Sequence, residues 1–192
     1  MFEAFEKYIR EKIMLTDEEM QLIQSVSILK KMRKRQYLLQ GGDISRHMSF
    51  IAKGFMRLYR VSDDGTEHVL RFAPENYWIS DRESYTTGLP TKYNIDALED
   101  SVLITWTKEN WTELKQKIPA LVTLEEQLLA RSFNVNQNRI NDTISLTAEE
   151  KYQKFLKIYP DIFNRVPLHM VASYLGVTRE TLSRIRHQFT NK

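Results

Sequence analysis

Apolar positions along the chain fall into three regimes. At the start, Phe2, Phe5 and Ile9 recur at helical spacing, and Thr16 with Glu19 forms a capping box ahead of Met20, Leu22 and Ile23. The middle alternates with period two through MSFIAK, FMRLYRVS and EHVLRF, then YNIDAL at 93–98 and SVLITW at 101–106. Asp63-Asp64-Gly65 predicts a hairpin turn between Phe55–Ser62 and Glu67–Phe72. Five of the six glycines (Gly41, Gly42, Gly54, Gly65, Gly88) lie here, as a chain with many tight turns requires. An antiparallel sandwich or barrel of roughly 100 residues is expected.

The third regime is helical. Pro119 opens a long helix, and no glycine or proline interrupts the next 40 residues. Leu121, Leu124, Leu128 and Val135 form an a/d-like seam with Arg131 in the missing place. Such a stripe either packs on the chain's own sheet or pairs with its copy in a second subunit, and its place between two modules favours a symmetric homodimer. Thr147 with Glu150 is a second capping box, followed by inward-facing Tyr152, Phe155, Leu156 and Tyr159 before Pro160. The hinge between modules is expected near 140–147, dividing the chain into residues 1–140 and 141–192.

Composition narrows the chemistry. The 192 residues contain no cysteine, which removes disulfides, thiolate metal sites, cysteine-ligated iron–sulfur clusters and thiol nucleophiles. No run of about 18 apolar residues predicts a membrane span. The N-terminal segment is broken by Glu3, Glu6, Lys7, Arg10, Glu11 and Lys12, unlike a secretory signal, so a cytoplasmic protein is expected. The net charge of +3 is unevenly placed: residues 164–192 carry five basic side chains against Glu180 alone, and the preceding 163 residues are near neutral. That asymmetry suits a chain in which one module meets an anionic polymer.

The strongest local signal is PLHMVASYLGVTRETLSRIRHQF, Pro167 to Phe189. Leu168, Val171, Ala172 and Leu175 give one apolar face, and Gly176 breaks the helix. Thr178 caps a second helix whose buried side is Leu182 and Ile185. Two short helices joined by a glycine turn form a helix–turn–helix, whose second helix enters a major groove. Thr178, Arg179, Glu180, Ser183, Arg184 and His187 then project outward. Arginine pairs bidentately with guanine, glutamate accepts from cytosine, and hydroxyls hold phosphates, so double-stranded DNA is the expected partner.

VASYLGVTRETLSRI resembles the C-terminal helix–turn–helix of the catabolite-activator/fumarate–nitrate regulator (Crp/Fnr) superfamily, with its pattern IA-x-x-LG-(I/V)-(S/T)-RET-(L/V)-SRI. GGDISRHMSFIAKGFMRLYRVSDDGTEHVLRF and NIDALEDSVLI are similar to that superfamily's β-roll, so the resemblance spans nearly the whole chain. It implies an α+β fold: an antiparallel β-roll or jelly-roll sensor domain, a long dimerisation helix and a small helix–turn–helix domain. It also implies a bacterial, homodimeric transcription regulator that binds a palindromic operator, contacts RNA polymerase and is not an enzyme. Arg179, Glu180 and Arg184 correspond to the family's base-reading positions. The family's wing follows the recognition helix, whereas this sequence ends three residues after Phe189, so a truncated wing and weakened DNA binding are expected.

The resemblance weakens at the effector site. Members that bind a cyclic nucleotide carry G-E and, about ten residues on, R-S. Here Ser80-Asp81 and Thr91-Lys92 stand in those places. Lysine lacks the guanidinium fork, so cAMP or cGMP is not expected to bind in the usual way. Arg71, Ser80, Asp81, Arg82, Thr91 and Lys92 are the candidate pocket for an unknown small molecule. His47 and His68 lack the spacing of a metal site, and none is expected. The run KKMRKR at 30–35 reads as a solvated edge. The alternative function is a small-molecule sensor whose DNA contact is vestigial.

Overall fold

The computed structural model describes residues 1–190. In chain order the elements are α1 (Phe2–Arg10), α2 (Asp17–Ser25), β1 (Ile28–Met32), β2 (Tyr37–Leu39), β3 (His47–Lys53), β4 (Met56–Val61), β5 (Glu67–Ala73) and β6 (Trp78–Ile79). They continue as α3 (Arg82–Thr87), β7 (Asn94–Ala97), β8 (Ser101–Thr107), α4 (Lys108–Lys117), α5 (Ala120–Ser145), α6 (Ala148–Ile158), α7 (Ile162–Arg165), α8 (Leu168–Leu175) and α9 (Arg179–Thr190).

The strands form two antiparallel four-stranded sheets, ordered β1-β8-β3-β6 and β2-β7-β4-β5. Met32, Leu39, Ile51, Met56, Ile79, Ile95 and Leu103 pack between them. Alternation decides this: odd-numbered β3 and β8 residues face the partner sheet, and Met48, Phe50, Ile104 and Trp106 face outward, where Phe5, Ile9, Ile23 and Trp111 cover them. Gly54 has φ +101, and a Cβ there would stand 2.2 Å from Ser101 Oγ, so only glycine fits between β3 and β4.

Both capping boxes form. Thr16 Oγ1 accepts the Glu19 amide at 3.2 Å, and Thr147 Oγ1 accepts the Glu150 amide at 3.3 Å. Only Leu146 and Thr147 separate α5 from α6.

The a/d-like seam is corrected in one respect. Leu121 and Leu124 are fully buried in the chain's own core, Leu128 packs against it, and Val135 is 52% exposed beyond the roll. The apolar stripe that α5 presents to solvent is another face, Val122, Leu129, Phe133, Ile140 and Ile144. The spacing of the leucines was right for a buried face, but their partner is the chain's own core, which includes the neighbouring α4. The basic run does lie at a solvated edge: Lys30 and Lys31 are in β1, an edge strand, and Arg33, Lys34 and Arg35 lie exposed between β1 and β2.

Candidate nucleic-acid interface and effector cavity

α8 and α9 meet at Gly176, which caps α8 with φ +68. Such left-handed backbone favours glycine. The Thr178 hydroxyl accepts the Thr181 amide at 3.1 Å and starts α9. Leu182 and Ile185 are 0% and 1% exposed, packed with Val171, Ala172, Leu175, Tyr152 and Phe155. Each such side chain stabilises the pair of helices by about 1.5–3 kcal/mol. This anchoring turns Arg179, Glu180, Arg184 and His187 to solvent and leaves Ser183 half-buried. No carboxylate among the described residues pairs with Arg179 or Arg184.

The helices are fastened to the roll along β5. Ser173 Oγ donates to the Glu67 carbonyl at 2.9 Å and accepts the Val69 amide at 3.0 Å. Tyr159 Oη donates to the Phe72 carbonyl at 3.0 Å. Arg165 holds Glu75 and Glu99 together, with contacts of 2.9 and 2.6 Å. Arg139 of α5 donates to the carbonyls of Leu70, Val69 and Tyr174, and its guanidinium lies 4.2 Å from the Tyr174 ring centre.

This docking creates an open cleft of about 1280 Å³ between the helix–turn–helix corner and the roll. Thr178, Arg179 and His169 line one wall, and Lys34, Arg35 and His68 the other. Arg57 is buried at its floor, bonded to Asp96 at 2.8 Å and to Glu67 at 2.5 Å. Lys34 and Arg35 are exposed cations beside the recognition helix. Their run of like charge was visible in the sequence, but its proximity to Arg179 depends on contacts across more than 100 residues.

The candidate effector residues separate. Asp81 caps α3 through the Glu83 and Ser84 amides, and its second oxygen accepts the Thr91 hydroxyl at 2.5 Å. Both residues are buried. Arg71, Ser80, Asp81 and Arg82 line a cavity of about 890 Å³ between the roll and α5, whereas Thr91 and Lys92 do not line it. Lys92 is exposed. Where the sequence comparison placed an anion-binding arginine, the Thr91 hydroxyl is thus engaged by a carboxylate. Among the described residues, no three His, Asp or Glu side chains are grouped to hold a metal ion. No helix among them is long and apolar enough to cross a membrane.

A family model, the cyclic nucleotide-binding domain, matches residues 29–117. The chain is 24% identical over 189 residues to the regulatory protein HlyX of Actinobacillus pleuropneumoniae, covering 91% of this chain and 77% of that one. It is 26% identical over 182 residues to the fumarate and nitrate reduction regulatory protein of Vibrio cholerae, covering 88% and 71%. Its fold is like that of FixK2 from Bradyrhizobium japonicum, with a TM-score of 0.73 at 16% identity, covering 86% and 85%. Residues 29–117 thus match a cyclic nucleotide-binding domain, and most of the chain is similar to these two regulatory proteins and shares the fold of FixK2.

Proposed function

We propose that this chain is a transcriptional regulator of the Crp/Fnr type that binds a palindromic operator as a homodimer, reading bases with Arg179, Glu180 and Arg184 and holding phosphates with Thr178, Ser183 and His187. The carrying observation is the anchoring of Leu182 and Ile185, which leaves Arg179, Glu180 and Arg184 in solvent without a carboxylate partner for either arginine. Lys34 and Arg35 add sequence-independent phosphate contacts from the roll, an assignment supported by their place opposite Arg179 in one cleft. The exposed stripe of Val122, Leu129, Phe133, Ile140 and Ile144 supports pairing of α5 with its copy. Half-sites about 34 Å apart follow for a two-fold dimer.

The test is selection of operators from a random duplex library, followed by anisotropy titration at fixed salt. Arg179→Ala and Arg184→Ala should each relax base preference by about 1–3 kcal/mol at one position per half-site. Full retention of preference by both variants would refute the assignment.

A further inference from the structure

Strand register places polar side chains inside one end of the sandwich. Odd-numbered β3 residues face the partner sheet, so His47 and Ser49 point inward at the start of that strand, and Ser49 stands opposite Thr105 of β8. On β1, Lys30 is opposite Leu103 and Met32 opposite Ser101, which puts Lys30 on the same inner face as the core residues Met32 and Leu103.

These side chains, with Ser45 and Arg46 from the segment ahead, line a cavity of about 220 Å³ walled by Leu39, Ile79 and Ile95. It lies between the two sheets. Among the described residues, none of α5 lines it, and Ser80 alone is shared with the cavity beside that helix.

Ser45 and Ser49 are 6% and 2% exposed. The Ser45 amide donates to Ser84 Oγ at 2.9 Å, but neither serine hydroxyl has a hydrogen-bond partner among the described residues. The neighbouring Thr105 hydroxyl differs, since it donates to the Ile28 carbonyl at 3.3 Å. Buried hydroxyls are normally bonded, so two idle donors on one cavity wall require an acceptor.

The ionisable groups on the wall are all basic. Lys30 is half-buried, Arg46 and His47 stand at the mouth, and among the described residues no Asp or Glu lines the cavity or pairs with Lys30. Burial and the charges of Lys30 and Arg46 push the His47 imidazole below its ordinary range, against the opposing pull of exposed Glu109 on α4.

We propose that this cavity holds a small tetrahedral oxyanion, inorganic phosphate or sulfate. The ion accepts from the Ser45 and Ser49 hydroxyls and takes its counter-charge from Lys30, with Arg46 and His47 at the mouth. A lysine suits this role as a point charge. The size fits an ion rather than a nucleotide, because drug-sized ligands occupy roughly 300–1,000 Å³. The assignment stands apart from the DNA-binding reading, since it involves no residue of α8 or α9.

Titration of the full chain without DNA, at ionic strength held constant with sodium chloride, tests it by calorimetry and by the His47 ring in proton–nitrogen correlation spectra. Phosphate or sulfate should bind saturably at about 10 mM or below. The His47 pKa should rise by about half a unit or more, because an anion favours the imidazolium. Sulfate, whose own charge is constant here, should therefore bind more tightly as pH falls through the His47 transition. Lys30→Met should weaken binding by about tenfold or more and Ser49→Ala by about threefold. Saturable binding with an unmoved His47 ring would put the ion on another basic surface and overturn the proposal. So would no saturation, or unchanged affinity in both variants, leaving water as the partner of the serines. A larger His47 shift from cyclic AMP than from either ion would also overturn it. If Lys30→Met does not fold, Ser49→Ala and the His47 ring of the unaltered protein decide the matter.

Discussion

Thr91 donates its hydroxyl to Asp81 at 2.5 Å inside the roll, and the same carboxylate caps α3. This contact closes the loop from residue 81 to residue 91 on itself. Thr91→Val should lower stability by about 1.5–3 kcal/mol, the range for a hydrogen bond to a charged group. Cyclic AMP should leave the melting temperature of the unaltered chain unchanged, because ligand stabilisation requires a site that favours the folded state. Differential scanning fluorimetry measures both.

Lys34 and Arg35 face Arg179 across the cleft but reach no base edge in the proposed mode. Replacing both with alanine should weaken all duplexes alike and keep the order of sequence preference. Each lost phosphate contact should reduce the slope of log K against log salt by about 0.9. A salt titration with two unrelated duplexes separates this from loss of base reading, which would change the order.

Phe133 is 62% exposed and Ile144 82% on the outer stripe of α5. Phe133→Glu should shift sedimentation toward the monomer and weaken operator binding together, since half-sites are held jointly. Val135→Glu, on the other face of α5, should leave the dimer in place.

The clamp of Arg165 on Glu75 and Glu99 has a defined acid response. Burial alone would raise the Glu75 carboxyl, but the Arg165 guanidinium and the amides of Glu75 and Gly54 overcome it and hold the group below the ordinary carboxylate range. A carboxyl depressed by docking contributes fully above its free value of about 4.3, and the contribution disappears as pH falls through the lower docked value. The protection of amides in α7 and α8, relative to their intrinsic exchange at the same pH, should therefore fall on acidification below the free value. Arg165→Met should already exchange fast at neutral pH and lose that dependence.

Local chemistry was legible and distant chemistry was not. Both capping boxes, the Asp63–Gly65 turn and the Gly176 corner involve residues within a few positions of one another, so spacing alone specifies them. Ser173 and Glu67 lie 106 residues apart, and neither residue type announces a partner. α4 escaped notice because Trp111 and Leu114, its buried residues, sit among charged side chains. β1 was hidden in a run of lysines whose apolar neighbours, Ile28 and Leu29, are exposed. For Leu121 and Leu124, periodicity carried the burial but not the identity of what buries them, since a sheet and a second helix ask for the same stripe.

The two-residue joint at Leu146 and Thr147 limits how the reading head can move. Rigid helices lie on both sides, so reorientation at this joint is confined to the backbone torsions of those two residues. The 11-residue α6 is a lever of roughly 16 Å, and a 10° turn displaces its far end by roughly 3 Å. That is close to one base-pair step, about 3.4 Å along a strand. In the proposed two-fold dimer the displacement would occur twice, so a change of a few degrees at Leu146 would be enough to bring two half-sites into or out of register.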